Sequence, residues 1–177
     1  MMQSDEQLML EFQRGRAAAF EELFNRYRNR IYAFFRRRLS DTARAEDLTQ
    51  ETFVVVLRGT EGYEPRAKFL TYLFAIAMKL LWGERRKQVR ELRAGGEVEE
   101  LRHESDPAAA IWVRDVLSRM DGFHREILML REFEQLSYDE IAELVEIPLN
   151  TVRSRLFRAR REFKALLEQE TTAKALR

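Results

Sequence analysis

Cysteine is absent from the 177 residues. That excludes a disulfide framework, a thiolate zinc site and a cysteine nucleophile. Glycine (7) and proline (3) are scarce, so few points force the backbone to turn and an all-α fold is predicted. The longest apolar stretch, Phe69 to Trp82, is too short to span a bilayer and carries Lys79. Met1 to Gln13 is acidic and polar, unlike a secretory signal, and a cytoplasmic location is expected. No phosphate-cradling glycine loop, catalytic triad or zinc spacing is present, so no enzymatic activity and no cofactor are expected. One Glu-x-x-His unit runs from Glu100 to His103, but a di-metal bundle needs two.

Apolar residues make up 45% of the chain and aromatics 11%, enough to build a core. Lys and Arg (31) nearly cancel Asp and Glu (30), for a net charge of +1. The balance hides a pattern. Residues 1–92 carry 17 basic and 13 acidic groups, residues 93–107 carry 2 and 5, and residues 108–177 carry 12 of each. Ser137 to Glu146 holds four acids and no base, whereas Leu149 to Glu168 holds six bases against Glu162 and Glu168. A basic helix beside an acidic one is an electrostatic footprint for a polyanion, or a solvated pair of salt-bridged faces.

Helical periodicity sets in at Phe20. Phe20, Leu23, Phe24, Tyr27, Ile31, Phe34 and Phe35 recur at spacings of three and four, and Arg36 to Arg38 suit the C-terminal end of that helix. Ser40 and Asp41 can cap a helix over 42–57, and Pro65 precedes a third over 67–90. The acidic, glycine-containing segment 93–107 cannot pack a core and is predicted as a linker. Four helical patterns follow, at 108–119, 123–133, 138–145 and 150–168. The predicted organisation is two small helical domains, 1–92 and 108–170, a flexible acidic linker between them, and a fraying tail at 171–177.

The most informative stretch runs from Leu136 to Leu156. Ser137 and Glu140 form a capping-box pattern, Pro148 forces a break after Ile147, and Asn150 or Thr151 can cap the next helix. Glu146 stands where a helix-turn-helix usually has glycine, and a non-glycine residue in a left-handed turn costs about 1 kcal/mol. Helix, tight turn, basic helix is the helix-turn-helix pattern. At about 100° per residue, Val152, Leu156, Ala159 and Phe163 share one side of the second helix. Arg153, Ser154, Phe157, Arg158 and Arg161 share the opposite side, where phosphates and base edges are within reach.

Four sequence words extend this reading: Phe20-Glu-Glu-Leu-Phe, Arg44-Ala-Glu-Asp-Leu-Thr-Gln-Glu-Thr-Phe, Lys68-Phe-Leu-Thr-Tyr-Leu-Phe-Ala-Ile-Ala, and Ile147-Pro-Leu-Asn-Thr-Val-Arg-Ser-Arg-Leu-Phe-Arg-Ala-Arg. In this order, across most of residues 8–168, the chain resembles the extracytoplasmic-function (ECF) group of bacterial sigma factors. The resemblance implies a factor that binds core RNA polymerase, through the β′ clamp helices and the β flap, and recognises the −35 and −10 promoter elements. It also implies duplex opening and an anti-sigma partner. By the same resemblance Asp47, Gln50, Glu51 and Phe53 dock on polymerase, while Thr151, Arg153, Ser154, Phe157, Arg158 and Arg161 contact the −35 element.

For the −10 element the candidates are Tyr72 and Phe74, as aromatics able to stack on unpaired bases, with Lys79, Arg85, Arg86 and Lys87 as cations. Tyr72 has a core role as its alternative. The chain departs from the family pattern at Lys79, where asparagine is common, and at Gly83, where aspartate is common. Ala75 and Ile76 stand where housekeeping sigma factors carry a tryptophan pair, and Glu146 replaces a glycine. In the linker, Glu97, Glu99, Glu100, Glu104 and Asp106 either mimic RNA near the polymerase active centre or form a solvated tether. The competing functions are a stand-alone helix-turn-helix regulator and a helical protein-interaction module.

Overall fold

The computed structural model describes residues 3–94 and 108–175, and every regular element among them is helical. The chain divides into two compact units, Met1–Arg102 and His103–Arg177. The first contains α1 (Asp5–Gln13), α2 (Ala17–Arg36), α3 (Thr42–Arg58), a single 3-10 turn (Thr60–Gly62) and α4 (Phe69–Arg93). The second contains α5 (Ala108–Ser118), α6 (Gly122–Glu132), α7 (Tyr138–Leu144) and α8 (Leu149–Ala175).

Helix α1 lies before the point where the sequence reading placed the first helix. Its signal is local: Ser4 and Gln7 close a capping box, Ser4 N donating to Gln7 Oε1 at 3.1 Å and Gln7 N to Ser4 Oγ at 3.2 Å. Leu8 and Met9 are fully buried. Gln13 Nε2 donates to the carbonyls of Thr60 and Tyr63, at 2.6 and 2.8 Å, pinning the 3-10 turn. Asp5 takes both Arg26, at 2.8 Å, and the Tyr27 hydroxyl.

Helix α3 starts at Asp41, whose carboxylate accepts from Arg44 N at 3.1 Å, and ends at Gly59. A Cβ at Gly59 would meet the Tyr72 hydroxyl at 3.0 Å, so the Tyr72 side chain of α4 comes close to the end of α3 here. The core of this unit is aromatic: Phe34, Phe35, Phe69 and Phe74 are 0% exposed, each worth about 1.5–3 kcal/mol of burial. Helix α4 is buried on one face as far as Glu84, and Arg86 to Arg93 are all exposed.

In the second unit Asp121 caps α6, accepting from Phe123 N and His124 N. The capping box at α7 forms as predicted, with Ser137 N to Glu140 Oε2 at 2.7 Å and Glu140 N to Ser137 Oγ at 3.2 Å. Glu146 is left-handed, φ +53°. Around it Ile147 N donates to Ala142 O and Glu146 N to Glu143 O, the reciprocal pair that closes a helix C-terminus through a left-handed residue. A second left-handed residue, Gln135, lies in the α6–α7 connection.

Helix α8 begins earlier and ends later than predicted. Thr151 N and Val152 N both donate to Pro148 O, so Asn150 and Thr151 lie inside the first turn and do not cap it. Residues 171–175, expected to fray, continue the helix.

Candidate polymerase and nucleic-acid interfaces

On α8 the side chains segregate as helical pitch requires. Val152, Leu156 and Ala159 are 0% exposed, while Arg153, Ser154, Phe157, Arg158 and Arg161 all face outward. Thr151 is half-buried beside them. Phe157, at 62%, is the most exposed large apolar residue among those described, and the Arg161 guanidinium lies 5.8 Å from its ring centroid. Arg153 donates to Asn150 Oδ1 at 3.3 Å, and Ser154 to the Thr151 carbonyl at 3.0 Å.

The six bases between Leu149 and Glu168 divide into two groups. Arg155 lies 3.9 Å over the Phe123 ring, tying α8 to α6. Arg160 donates to Glu132, at 2.8 Å, and to the Tyr138 hydroxyl, at 3.2 Å. Hydrogen bonding to Glu132, and then to Tyr138, raises its pKa further. These two cations are engaged by α6 and Tyr138, Arg160 while itself exposed; among the described residues, Arg153, Arg158, Arg161 and Lys164 are exposed without such a partner on another helix.

On α3, Asp47, Gln50 and Glu51 are exposed on one face. Arg44 borders that face, 3.8 Å from Asp47, and its main partner is Glu84 of α4, reached by Nε at 2.9 Å and Nη2 at 2.7 Å. Glu84 is 7% exposed, so this ion pair braces α3 against α4. Phe53 does not reach the face. It is 3% exposed and sits edge-on to Phe20 and Phe24, with ring centroids 6.3 and 4.8 Å away. Its role is to anchor α3. Val54 and Leu57, 38% and 41% exposed, take its place in the exposed face. Val54 falls one heptad after Asp47, a signal that the sequence reading passed over.

The −10 candidates on α4 also separate. Phe74 is 0% exposed and packs 5.5 Å from the Phe34 centroid, so it cannot stack on a base. Tyr72 is half-buried against Tyr63 and Phe69, and burial raises its pKa. Lys79, Arg86 and Lys87 are exposed and Arg85 is half-buried; Lys87 approaches Glu91 at 3.8 Å. The linker acids Glu97, Glu99, Glu100, Glu104 and Asp106, with His103, lie outside the described residues.

One further feature escaped the sequence. Val113, Leu117, Leu128, Phe133 and Phe163, rimmed by Glu132 and Arg160, line an apolar groove of about 310 Å³ in the second unit. Among the described residues, no group of His, Cys, Asp and Glu is placed to hold a metal. None of the described helices is long and apolar enough to cross a membrane.

Comparison with known proteins matches this division. The family model for Sigma-70 region 2 matches residues 23–91, and that for Sigma-70, region 4 matches residues 111–163. The RNA polymerase sigma-H factor of Pseudomonas aeruginosa is 32% identical, over 94% of this chain and 95% of its own. CarQ of Myxococcus xanthus is 32% identical over 90% and 95%. The ECF RNA polymerase sigma-E factor of Haemophilus influenzae is 30% identical over 89% and 92%.

Two solved structures share the fold. The sigma factor RpoE, in complex with the anti-sigma factor NepR from Bartonella quintana, has a TM-score of 0.72 at 22% identity, covering 84% of this chain and 96% of that one. CnrH, in complex with the cytosolic domain of CnrY, has a TM-score of 0.74 at 23% identity, covering 94% and 99%. With regions 2 and 4 both matched and relatives aligned along nearly their whole length, the chain belongs to the ECF group of RNA polymerase sigma factors.

Proposed function

We propose that the protein acts in the cytoplasm as a promoter-specificity subunit, without catalytic chemistry of its own. The exposed face of α3, with Asp47, Gln50, Glu51, Val54 and Leu57, docks on the β′ clamp helices; carboxylates flanked by apolar side chains suit a basic helical partner. The apolar groove of the second unit takes the β flap. The outer face of α8 enters the major groove at the −35 element, where Arg158 reads a base edge, Arg153 and Arg161 bind phosphates, and Phe157 contacts a thymine methyl. The cationic end of α4 grips the −10 region.

The observation that carries this reading is the sorting of cations on α8. Two are used internally, and those left outward share one face with Ser154 and the exposed Phe157. A stand-alone regulator has no use for the α3 face. Two solved relatives are held in complexes, one with an anti-sigma factor, and we infer an anti-sigma partner here.

Run-off transcription with purified bacterial core polymerase, on a library of promoter fragments, tests the proposal. Initiation at a defined subset of fragments, dependent on this chain, is expected. Tight operator binding by the free protein, without stimulation of core polymerase, would instead identify a stand-alone regulator.

A further inference from the structure

Three observations meet on one side of α4. Trp82 is 38% exposed, and among the described residues it makes no ring contact, whereas Tyr63, Phe69 and Tyr72 pack on one another. Lys79 precedes it by three residues and Arg86 follows by four, so the three share a face, and both cations are exposed. Beside them is Gly83, inside a 25-residue helix where glycine is destabilising. A Cβ built there would meet nothing within 4 Å. Packing therefore does not explain the glycine. Its effect is to leave bare backbone next to the indole, with a cation at either end.

We propose that Trp82 stacks on an unpaired base of promoter DNA, with Gly83 leaving room for that base and Lys79 and Arg86 holding the flanking phosphates; this rests on the sigma-factor reading above. An indole offers a flat surface to any base while neighbouring cations track the backbone, the combination by which single strands are bound. The surrounding charge favours a polyanion over an acidic helix alone. From Lys79 to Arg93 the helix carries six cations and two acids, and of the acids Glu84 is committed to Arg44 and Glu91 lies near Lys87. Trp82 thus takes the part that the buried Phe74 cannot play.

The test uses holoenzyme reconstituted from the full chain and core polymerase, with a promoter recovered by wild-type run-off transcription. The probe is a single-stranded oligonucleotide spanning the non-template strand of its −10 element. Trp82→Ala is expected to assemble normally, to bind the probe about tenfold more weakly, and to open the duplex promoter more slowly. Trp82→Phe retains most of both activities. Gly83→Leu separates stacking from structure: leucine favours a helix over glycine, so the thermal midpoint holds or rises while probe affinity falls. A Trp82→Ala holoenzyme with wild-type probe affinity and opening rate overturns the assignment. So does loss of core assembly in that variant, which would put the indole in a protein interface. A wild-type chain that neither assembles nor initiates sinks the sigma-factor reading itself.

Discussion

Arg158 is exposed on α8 and, among the described residues, has no ion pair, whereas Arg160 is bonded to Glu132 and Tyr138. Its replacement by alanine is expected to cost about 1–3 kcal/mol at the −35 element and to relax specificity at one base pair. Competition between single-base promoter variants for the holoenzyme measures this; equal losses on every sequence would reduce Arg158 to a phosphate contact. Glu146 is held left-handed at φ +53°, where glycine carries no steric penalty. Glu146→Gly should therefore stabilise the protein by about 1 kcal/mol, read as a higher urea midpoint with an unchanged slope. The two misassigned aromatics are instructive at the same scale. Phe53 lies roughly 120° around α3 from Asp47, and Phe74 roughly 140° around α4 from Lys79. Pitch alone excludes neither position, since Phe53 falls within about 40° of the exposed Leu57 and Phe74 within about 20° of Arg85; burial by neighbouring helices excludes both.

At the scale of elements, some helix starts are marked by their own side chains, although the one at Ser4 was passed over, and one is completed by another element. Asp41 and the Ser137–Glu140 box cap their own helices. Helix α4 has no such local cap at Lys68; its first amide, Phe69 N, instead donates to Glu6 Oε1 of α1 at 2.9 Å. Burial pushes the Glu6 carboxyl up, but hydrogen bonds from Phe69 N, its own backbone and Ser4, with Lys68 nearby, more than reverse this and leave it below its ordinary value of 4.5. A depressed carboxyl stabilises the fold above its unfolded pKa and loses that contribution as pH falls through the folded one. Glu6→Ala should cost about 0.5–2 kcal/mol near neutrality, as for loss of a cap, and its difference from wild type should shrink as pH falls from 4.5 through the lower folded value. Thermal melts across pH check this, and a constant difference down to strongly acid solution would contradict the capping role.

For the whole molecule, two units with separate cores make the interfaces separable by mutation. Glu51 is exposed on α3, so Glu51→Lys should abolish assembly with core polymerase, seen by gel filtration, while helical content stays unchanged by circular dichroism. Normal assembly would contradict docking through α3. The same separation explains why the division into regions was readable: each unit carries its own apolar periodicity and its own caps, and the acidic stretch between them has neither.

Local chemistry alone determined that the chain is helical, where α7 gives way to α8, and which face of α8 is apolar, because pitch, caps and a proline-forced break act within a few residues. Tertiary packing decided the rest. It buried Phe53 and Phe74 while leaving Trp82 at the surface, set Arg155 over Phe123 and paired Arg160 with Glu132, recruited α1 to cap α4, and shaped the apolar groove. Each of those outcomes depends on a neighbour remote in sequence, and periodicity along one helix carries no information about what covers it.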